Sequence, residues 1–403
     1  MRSFFTLTCL FATYSLASGQ NSLAGQVLDS ATRQPIAFAN VYFANTSIGT
    51  VSNDKGEFLI QGFASGKYDL TVSFVGYRTT QGALTFPRTA QPIIVLLTAE
   101  ATQLDELVVK PDFSQKASDL RQFEKFFIGD NSNASKCKIV NEDEVVAYQD
   151  DDTHALITFA RTPVEIINEA LGYRIFYELQ DFEVNFSTQT QRYSGTPRFE
   201  ELTPKNIAQK RRWEDERKRA YNGSFNHLIH CLRSGTFDSS FAMYELHQRP
   251  NRQRPPEEIL KKKVAYWRSK FRANLRTTAS NSVAHDSMQY YVKLYNLPMV
   301  VDSLGRRIRN AGELLNETRD RITYTGTLYI IYTGEKEEAA YIKLNRGKAH
   351  GHEQHSIIQI RPGGVNIYEN GYFEPISNVF FDGYMMWSDR ISNLLPREYI
   401  PGP

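Results

Sequence analysis

Gly49-Thr50-Val51-Ser52-Asn53-Asp54-Lys55-Gly56-Glu57-Phe58-Leu59-Ile60 reads as two short β runs joined by a tight turn. Asn and Asp tolerate left-handed backbone and Gly takes positive φ without strain, so residues 53–56 supply the turn. Residues 37–43 form a further β-type run upstream. Downstream, Tyr68, Leu70, Val72 and Phe74 alternate at period 2, the pattern of a half-buried strand. Residues 93–97 are a continuous apolar run that closes the set. Short strands with no helical stretch between them, over residues 24–110, predict a sandwich of about 85 residues.

Four stretches carry a resemblance. They are Gly25-Gln26-Val27-Leu28-Asp29, Pro35-Ile36-Ala37-Phe38-Ala39-Asn40-Val41, residues 49–58, and Val72-Ser73-Phe74-Val75-Gly76-Tyr77. Together they resemble the carboxypeptidase-like regulatory domain, a transthyretin-like Greek-key β-sandwich. The resemblance implies an accessory domain without catalytic residues, of the kind that often precedes TonB-dependent outer-membrane receptors in bacteria. Leu104-Asp105-Glu106-Leu107-Val108-Val109 resembles the segment joining it to a receptor plug. The rest of the chain lacks the long series of regular alternating strands that a large barrel needs. The expected fold is therefore mainly β with an α+β C-terminal region: the sandwich, then a larger mixed domain with three or four helices.

The chain has 403 residues, 41% of them apolar, with 47 Lys plus Arg against 45 Asp plus Glu, a net charge of +2. That balance excludes an acidic or basic specialist, and three cysteines exclude a disulfide scaffold. Met1-Arg2-Ser3 followed by a largely apolar run, then Ala17-Ser18-Gly19, has the form of a signal peptide cleaved before Gln20. The expected organisation is a leader over 1–19, the sandwich over 20–110, a linker over 111–118, and an α+β domain over 119–403 with a helical middle at 203–276. Export would place the protein in the periplasm, at the outer-membrane periphery or outside the cell. The mature chain has no transmembrane segment by sequence. Cys137 and Cys231 would remain, and in an oxidising compartment they are candidates for a disulfide worth roughly 4–5 kcal/mol. Two separate buried thiols are the other reading.

Within the mixed domain, a short helix is expected around residues 120–127. Thr203-Pro204 opens another, Ser224 caps a third that ends before Gly235, and a fourth follows Pro255-Pro256 with Glu257 and Glu258 in its first turn. Asn370-Gly371 suggests a type I′ hairpin. Phe126-Phe127-Ile128-Gly129-Asp130, Asn168-Glu169-Ala170-Leu171-Gly172-Tyr173 and Arg219-Ala220-Tyr221-Asn222-Gly223-Ser224 resemble a C-terminal region found behind the same sandwich in uncharacterised exported bacterial proteins. That resemblance implies no known activity.

The near-neutral total hides an asymmetry. Residues 205–276 hold 18 Lys plus Arg against 7 Asp plus Glu, leaving 29 against 38 elsewhere. The basic patch includes Lys210, Arg211, Arg212, Lys261, Lys262 and Lys263. An exported chain with such a patch would meet an envelope protein, an anionic glycan or a lipid surface rather than nucleic acid. A pair of solvated helix faces is the plainer reading.

Catalytic constellations each lack a member. His350-Gly351-His352-Glu353 contains the His-x-x-Glu of zinc carboxypeptidases, but no histidine follows His355, and catalytic zinc needs three ligands around an open position. His350, His352 and His355 remain weak metal candidates. His227, His230 and Cys231 have ligand-like spacing on one helix, yet a packed helix explains them. No Gly-x-Ser-x-Gly elbow occurs, and residues 62–67 only mimic a phosphate loop. Tyr372, Phe373, Tyr384 and Trp387 suit either a glycan platform or a core. No cofactor and no catalytic residue is assigned. The expectation is an exported noncatalytic envelope protein with a binding or structural role; the alternative is a peptidase or glycan hydrolase with its site in the C-terminal region.

Overall fold

The computed structural model describes residues 21–402 apart from 90, 101–116, 151, 189, 236–239, 275–281 and 345–350. The expected leader and most of the expected linker lie outside these. Residues 117 and 118, read as linker, open a helix instead.

Seven strands build the N-terminal sandwich: β1 (Asn21–Asp29), β2 (Asn40–Phe43), β3 (Gly49–Val51), β4 (Glu57–Phe63), β5 (Gly66–Ser73), β6 (Thr80–Phe86) and β7 (Ile93–Leu97). One sheet runs β4-β1-β7 and the other β3-β2-β5-β6, with β7 parallel to β1. The turn that opened the sequence reading is held by Asn53, whose Oδ1 accepts the Lys55 and Glu57 N–H groups, each at 2.9 Å. Gly56 sits at φ +72, and a Cβ there would lie 2.5 Å from the Val27 carbonyl oxygen. Period 2 does the rest: Phe43, Phe63, Tyr68 and Phe86 point inward and pack ring to ring at 4.4–6.0 Å.

The second core belongs to a six-stranded sheet, covered by helix α1 (Ala117–Ile128). Its strands are β8 (Cys137–Ile139), β9 (Val145–Asp150), β10 (Ala155–Ala160), β11 (Val164–Asn168), β12 (Tyr173–Asn185) and β13 (Thr190–Glu201). Their order is β8-β11-β12-β10-β9, with β13 also paired to β12. Phe123 and Phe127, four apart on α1, stack at 4.9 Å and are fully buried against Phe182 and Tyr177.

Two helices follow, α2 (Ile207–Tyr221) and α3 (Phe225–Ser234). Thr203 does not cap α2. Asn206 does, its Oδ1 accepting from the Gln209 N–H at 2.9 Å, while Gln209 Oε1 accepts from the Lys205 N–H at 2.7 Å. Ser224 caps α3 as expected, accepting from the His227 N–H.

The third core lies between α3 and a five-stranded sheet of order β15-β14-β17-β18-β21. The elements are β14 (Phe241–Pro250), α4 (Glu257–Asn274), α5 (Ser282–Tyr295), β15 (Val300–Ile308), β16 (Arg321–Ile322), β17 (Gly326–Tyr332), α6 (Ala339–Leu344), β18 (Gln354–Ile360), β19 (Val365–Ile367), β20 (Phe373–Glu374), β21 (Val379–Gly383) and α7 (Tyr384–Ser388). The described residues thus show the four expected helices and three more, α5 to α7. Asn370-Gly371 does turn the chain between β19 and β20, but only Gly371 takes positive φ, so the turn is not type I′. Asn370 instead turns its amide into the sandwich, donating to the Lys67 carbonyl at 2.7 Å.

Candidate functional site

The segment after α7 ties the parts together. Ile391 joins the second core. Ser392 Oγ donates to the Ile128 carbonyl, Asn168 donates to the Ser392 carbonyl, and Asn133 donates to Asn393. Trp387 Nε1 donates to Asp130 at 2.7 Å. Further on, the Arg397 N–H donates to the Asn45 carbonyl in the sandwich at 2.9 Å. Lys67 pairs with Glu374 at 2.5 Å, and the Tyr372 hydroxyl donates to Asp69 at 3.3 Å. Strand β13 adds backbone bonds, Asn45 N–H to the Pro197 carbonyl and Phe199 N–H to the Thr46 carbonyl. The sandwich is therefore seated on the mixed region by many directed contacts.

The three stretches that resembled a C-terminal region prove to be joints. Asp130, Asn168 and their neighbours grip the returning segment. Arg217 donates to the Leu171 and Gly172 carbonyls and stacks 4.0 Å over Tyr173, locking α2 on the turn before β12. Arg219 bridges Glu216 and Glu338, and Asn222 donates to Glu335.

A cleft of about 880 Å³ opens between the β12–β13 hairpin and the β21–α7 corner. Phe126, Phe186, Tyr193, Phe381, Met385 and Met386 give it largely apolar and aromatic walls. Asp389 and Arg390 stand at one side, because the chain leaves α7 there. The first N–H of α3, on Phe225, donates to Asp389 Oδ2 at 3.2 Å. Burial pushes the Asp389 carboxyl up to about 7, against the pull of the Phe225 N–H and of Arg390. Among the described residues of the lining, Asp389 is the only acidic one, and none is histidine or cysteine. Acid–base catalysis needs a positioned group of suitable pKa within reach of the transferred proton; binding needs only the apolar walls and one oriented polar group. The arrangement suits an apolar ligand bearing a hydrogen-bond donor or a cation.

The residues singled out by sequence scatter. Cys137 and Cys231 are not joined: Cys137 packs against the second core and Cys231 against the third. Burial raises the Cys137 thiol to about 12. His350 lies outside the described residues, His352 is exposed in a turn, and His355 sits in β18 with Nδ1 2.6 Å from the Tyr329 hydroxyl. Among the described residues no group of three or more His, Cys, Asp or Glu is placed to hold a metal ion. His227 Nδ1 accepts from the Gly223 N–H, and His230 Nδ1 lies 3.0 Å from the Tyr221 hydroxyl. Burial, then His227, lowers His230 to about 4, so it is neutral at physiological pH. Tyr372, Tyr384 and Trp387 are buried and form no glycan platform. The basic patch divides: Lys210, Arg211 and Arg212 ride on α2, anchored by Trp213 and Arg217, whereas Lys261, Lys262 and Lys263 ride on α4, which packs on α5. Sequence reasoning missed Asp389, since Ser388-Asp389-Arg390 has no motif and only the fold brings Phe225 to it.

No curated protein matches the sequence. Among solved structures, one similar chain belongs to an N-terminal interface mutant of a type II cohesin–X-dockerin complex from Acetivibrio cellulolyticus. It is 23% identical over 19% of this chain and 57% of that one, with a TM-score of 0.17. This chain thus matches little more than half of that one. A proposed membrane-associated protein of unknown function from Bacteroides fragilis NCTC 9343 is 12% identical over 90% of this chain and 93% of its own, also at a TM-score of 0.17. The family comparison covers the sandwich, the part whose turn, strands and aromatic core were described above: residues 23–109 are a CarboxypepD_reg-like domain.

Proposed function

We propose that this is an exported, noncatalytic cell-envelope protein with a binding role, its sandwich serving as a fixed part of a larger scaffold. The cleft beside Asp389 carries the reading: apolar walls, one carboxyl, Arg390 beside it, and Arg192 held by Asp181 and Glu183 make a recognition site. A CarboxypepD_reg-like domain is compatible with such a role. The site test is titration with an environment-sensitive fluorophore that joins an aromatic body to an amine. Saturable binding is expected, and Met386→Arg, at a residue 45% exposed in the cleft wall, should abolish it without unfolding the protein. Turnover of a peptide or glycan panel that disappears in Asp389→Asn would instead assign the hydrolase reading. Cell fractionation tests the location: envelope or medium is expected, and recovery in the cytosol would overturn it.

A further inference from the structure

Strand β14 has two neighbours only as far as Glu245. Its last pair with β17 is Glu245 to Leu328, whereas its pairing with β15 continues through Leu246–Leu304 to Pro250–Val300. Beyond Leu246 the two strands therefore leave the sheet as a two-stranded ribbon, and its end carries the α4–α5 hairpin. The hairpin is fixed to the ribbon. Asn251 donates through its N–H to the Met299 carbonyl at 2.8 Å and through its side chain to the Pro298 carbonyl at 2.9 Å. The Arg254 guanidinium stands 5.6 Å over the Tyr295 ring.

This arm buries little. Among the described residues of its helices only Leu260 and Ala284 are buried, while Ile259, Tyr266, Val283 and Tyr290 are half or more exposed. On α4, positions 259, 263, 266 and 270 share one face at helical spacing, so Lys263 and Lys270 alternate with Ile259 and Tyr266. The Lys270 ammonium lies 5.8 Å from the Tyr266 ring centre. The described residues of 247–304 carry ten Lys plus Arg against four Asp plus Glu, leaving 37 against 41 for the rest of the chain. Glu257, one of those four, pairs with Lys261 at 2.9 Å.

We propose that this arm docks the protein on a bilayer surface rich in anionic phospholipid. Positive charge alone would suit any polyanion and tyrosines can stack on sugars, but the exposed aliphatic Ile259 and Val283 beside Tyr266 and Tyr290 gain nothing from a sulfated glycan. At a bilayer they enter the headgroup boundary while lysine stems reach back to phosphate. A second copy of the chain would set like charge against like. Among the described residues no helix is long and apolar enough to cross a membrane, which makes the contact peripheral. The site is separate from the cleft, and either stands if the other fails.

The test is co-sedimentation of the whole protein with vesicles of phosphatidylcholine alone, or with about a third of it replaced by phosphatidylglycerol. Binding is expected only to the second and should weaken as salt is raised. Reversal of Lys261, Lys262 and Lys263 to Glu should lower partitioning by at least about 100-fold. Tyr266→Ser with Tyr290→Ser should lower it by roughly tenfold or more. Circular dichroism and cleft binding should stay unchanged in both variants, since the altered residues lie outside the cores. Equal binding to both vesicles would overturn the proposal, as would retention after charge reversal. Dextran sulfate binding that is indifferent to the tyrosine pair, with no vesicle binding, would reassign the arm to a glycan. A salt-independent dimer that buries the arm would reassign it to self-association.

Discussion

Glu398 accepts both the backbone N–H and the hydroxyl of Ser47, at 2.6 and 2.7 Å, through a single oxygen, Oε1. The two residues are 351 positions apart, one near the end of the chain and the other in the sandwich. Burial raises the Glu398 carboxyl, while the two Ser47 bonds lower it. Glu398→Ala should therefore destabilise the seat of the sandwich by about 1–3 kcal/mol, and Glu398→Gln by less, since an amide oxygen still accepts. A double-mutant cycle with Ser47→Ala in urea should show a coupling of at least about 0.5 kcal/mol. Additive effects would mean that the two bonds contribute nothing jointly.

Asp389 makes stability depend on pH. Its folded value of about 7 lies above the ordinary 3.8, so the folded protein holds a proton that the unfolded chain releases between those values. Stability from this group is complete below the lower value and falls as pH rises to the upper one. Asp389→Asn keeps an acceptor for the Phe225 N–H and removes the titration. Unfolding free energies of the two proteins from urea titration should coincide near pH 4 and diverge by roughly 1–3 kcal/mol in favour of the variant by about pH 8. Parallel pH profiles would refute the assignment. Binding of a cationic ligand in the cleft should strengthen only as pH rises through about 7, where the folded protein's Asp389 loses its proton.

Gly56→Ala should cost about 1–3 kcal/mol, combining a positive φ with a Cβ placed 2.5 Å from the Val27 carbonyl oxygen. Thermal melting reads this directly. An unchanged midpoint would show that the Asn53 turn relaxes freely.

Cys137 should resist thiol reagents in the native protein, because a thiol raised to about 12 carries almost no thiolate at neutral pH. Peptide mapping without reductant should recover Cys137 and Cys231 on separate peptides even after incubation in an oxidising buffer. A linked peptide would require the two cores to rearrange.

Legibility followed the range of the interactions. The sandwich could be read because its signals are local: a turn fixed within residues 53–57, and alternation along β5. Helices α3 and α4 announced themselves through Ser224 and the Glu257-Glu258 pair. Helix α5 did not, since a serine-rich start and scattered tyrosines give no clean stripe. The cap of α2 was misplaced by three residues because Thr203-Pro204 matches the preference while Asn206 has the geometry. The cleft was not legible, because Phe126, Tyr193, Phe225 and Asp389 come from four distant parts of the chain. The histidines carried no usable signal for the opposite reason, since close spacing in sequence says nothing about partners across a sheet.

The returning segment also bears on the order of folding. Contacts of Trp387, Ser392, Asn393 and Glu398 close loops of roughly 220 to 350 residues, whereas the sandwich and its turn close theirs within about 75. The sandwich can thus gain its core while the rest of the chain is still open. Its docking can begin on β13, through Asn45 and Thr46, but is completed only by residues 370–398, and a chain stalled between the two would carry a finished module that is only loosely seated.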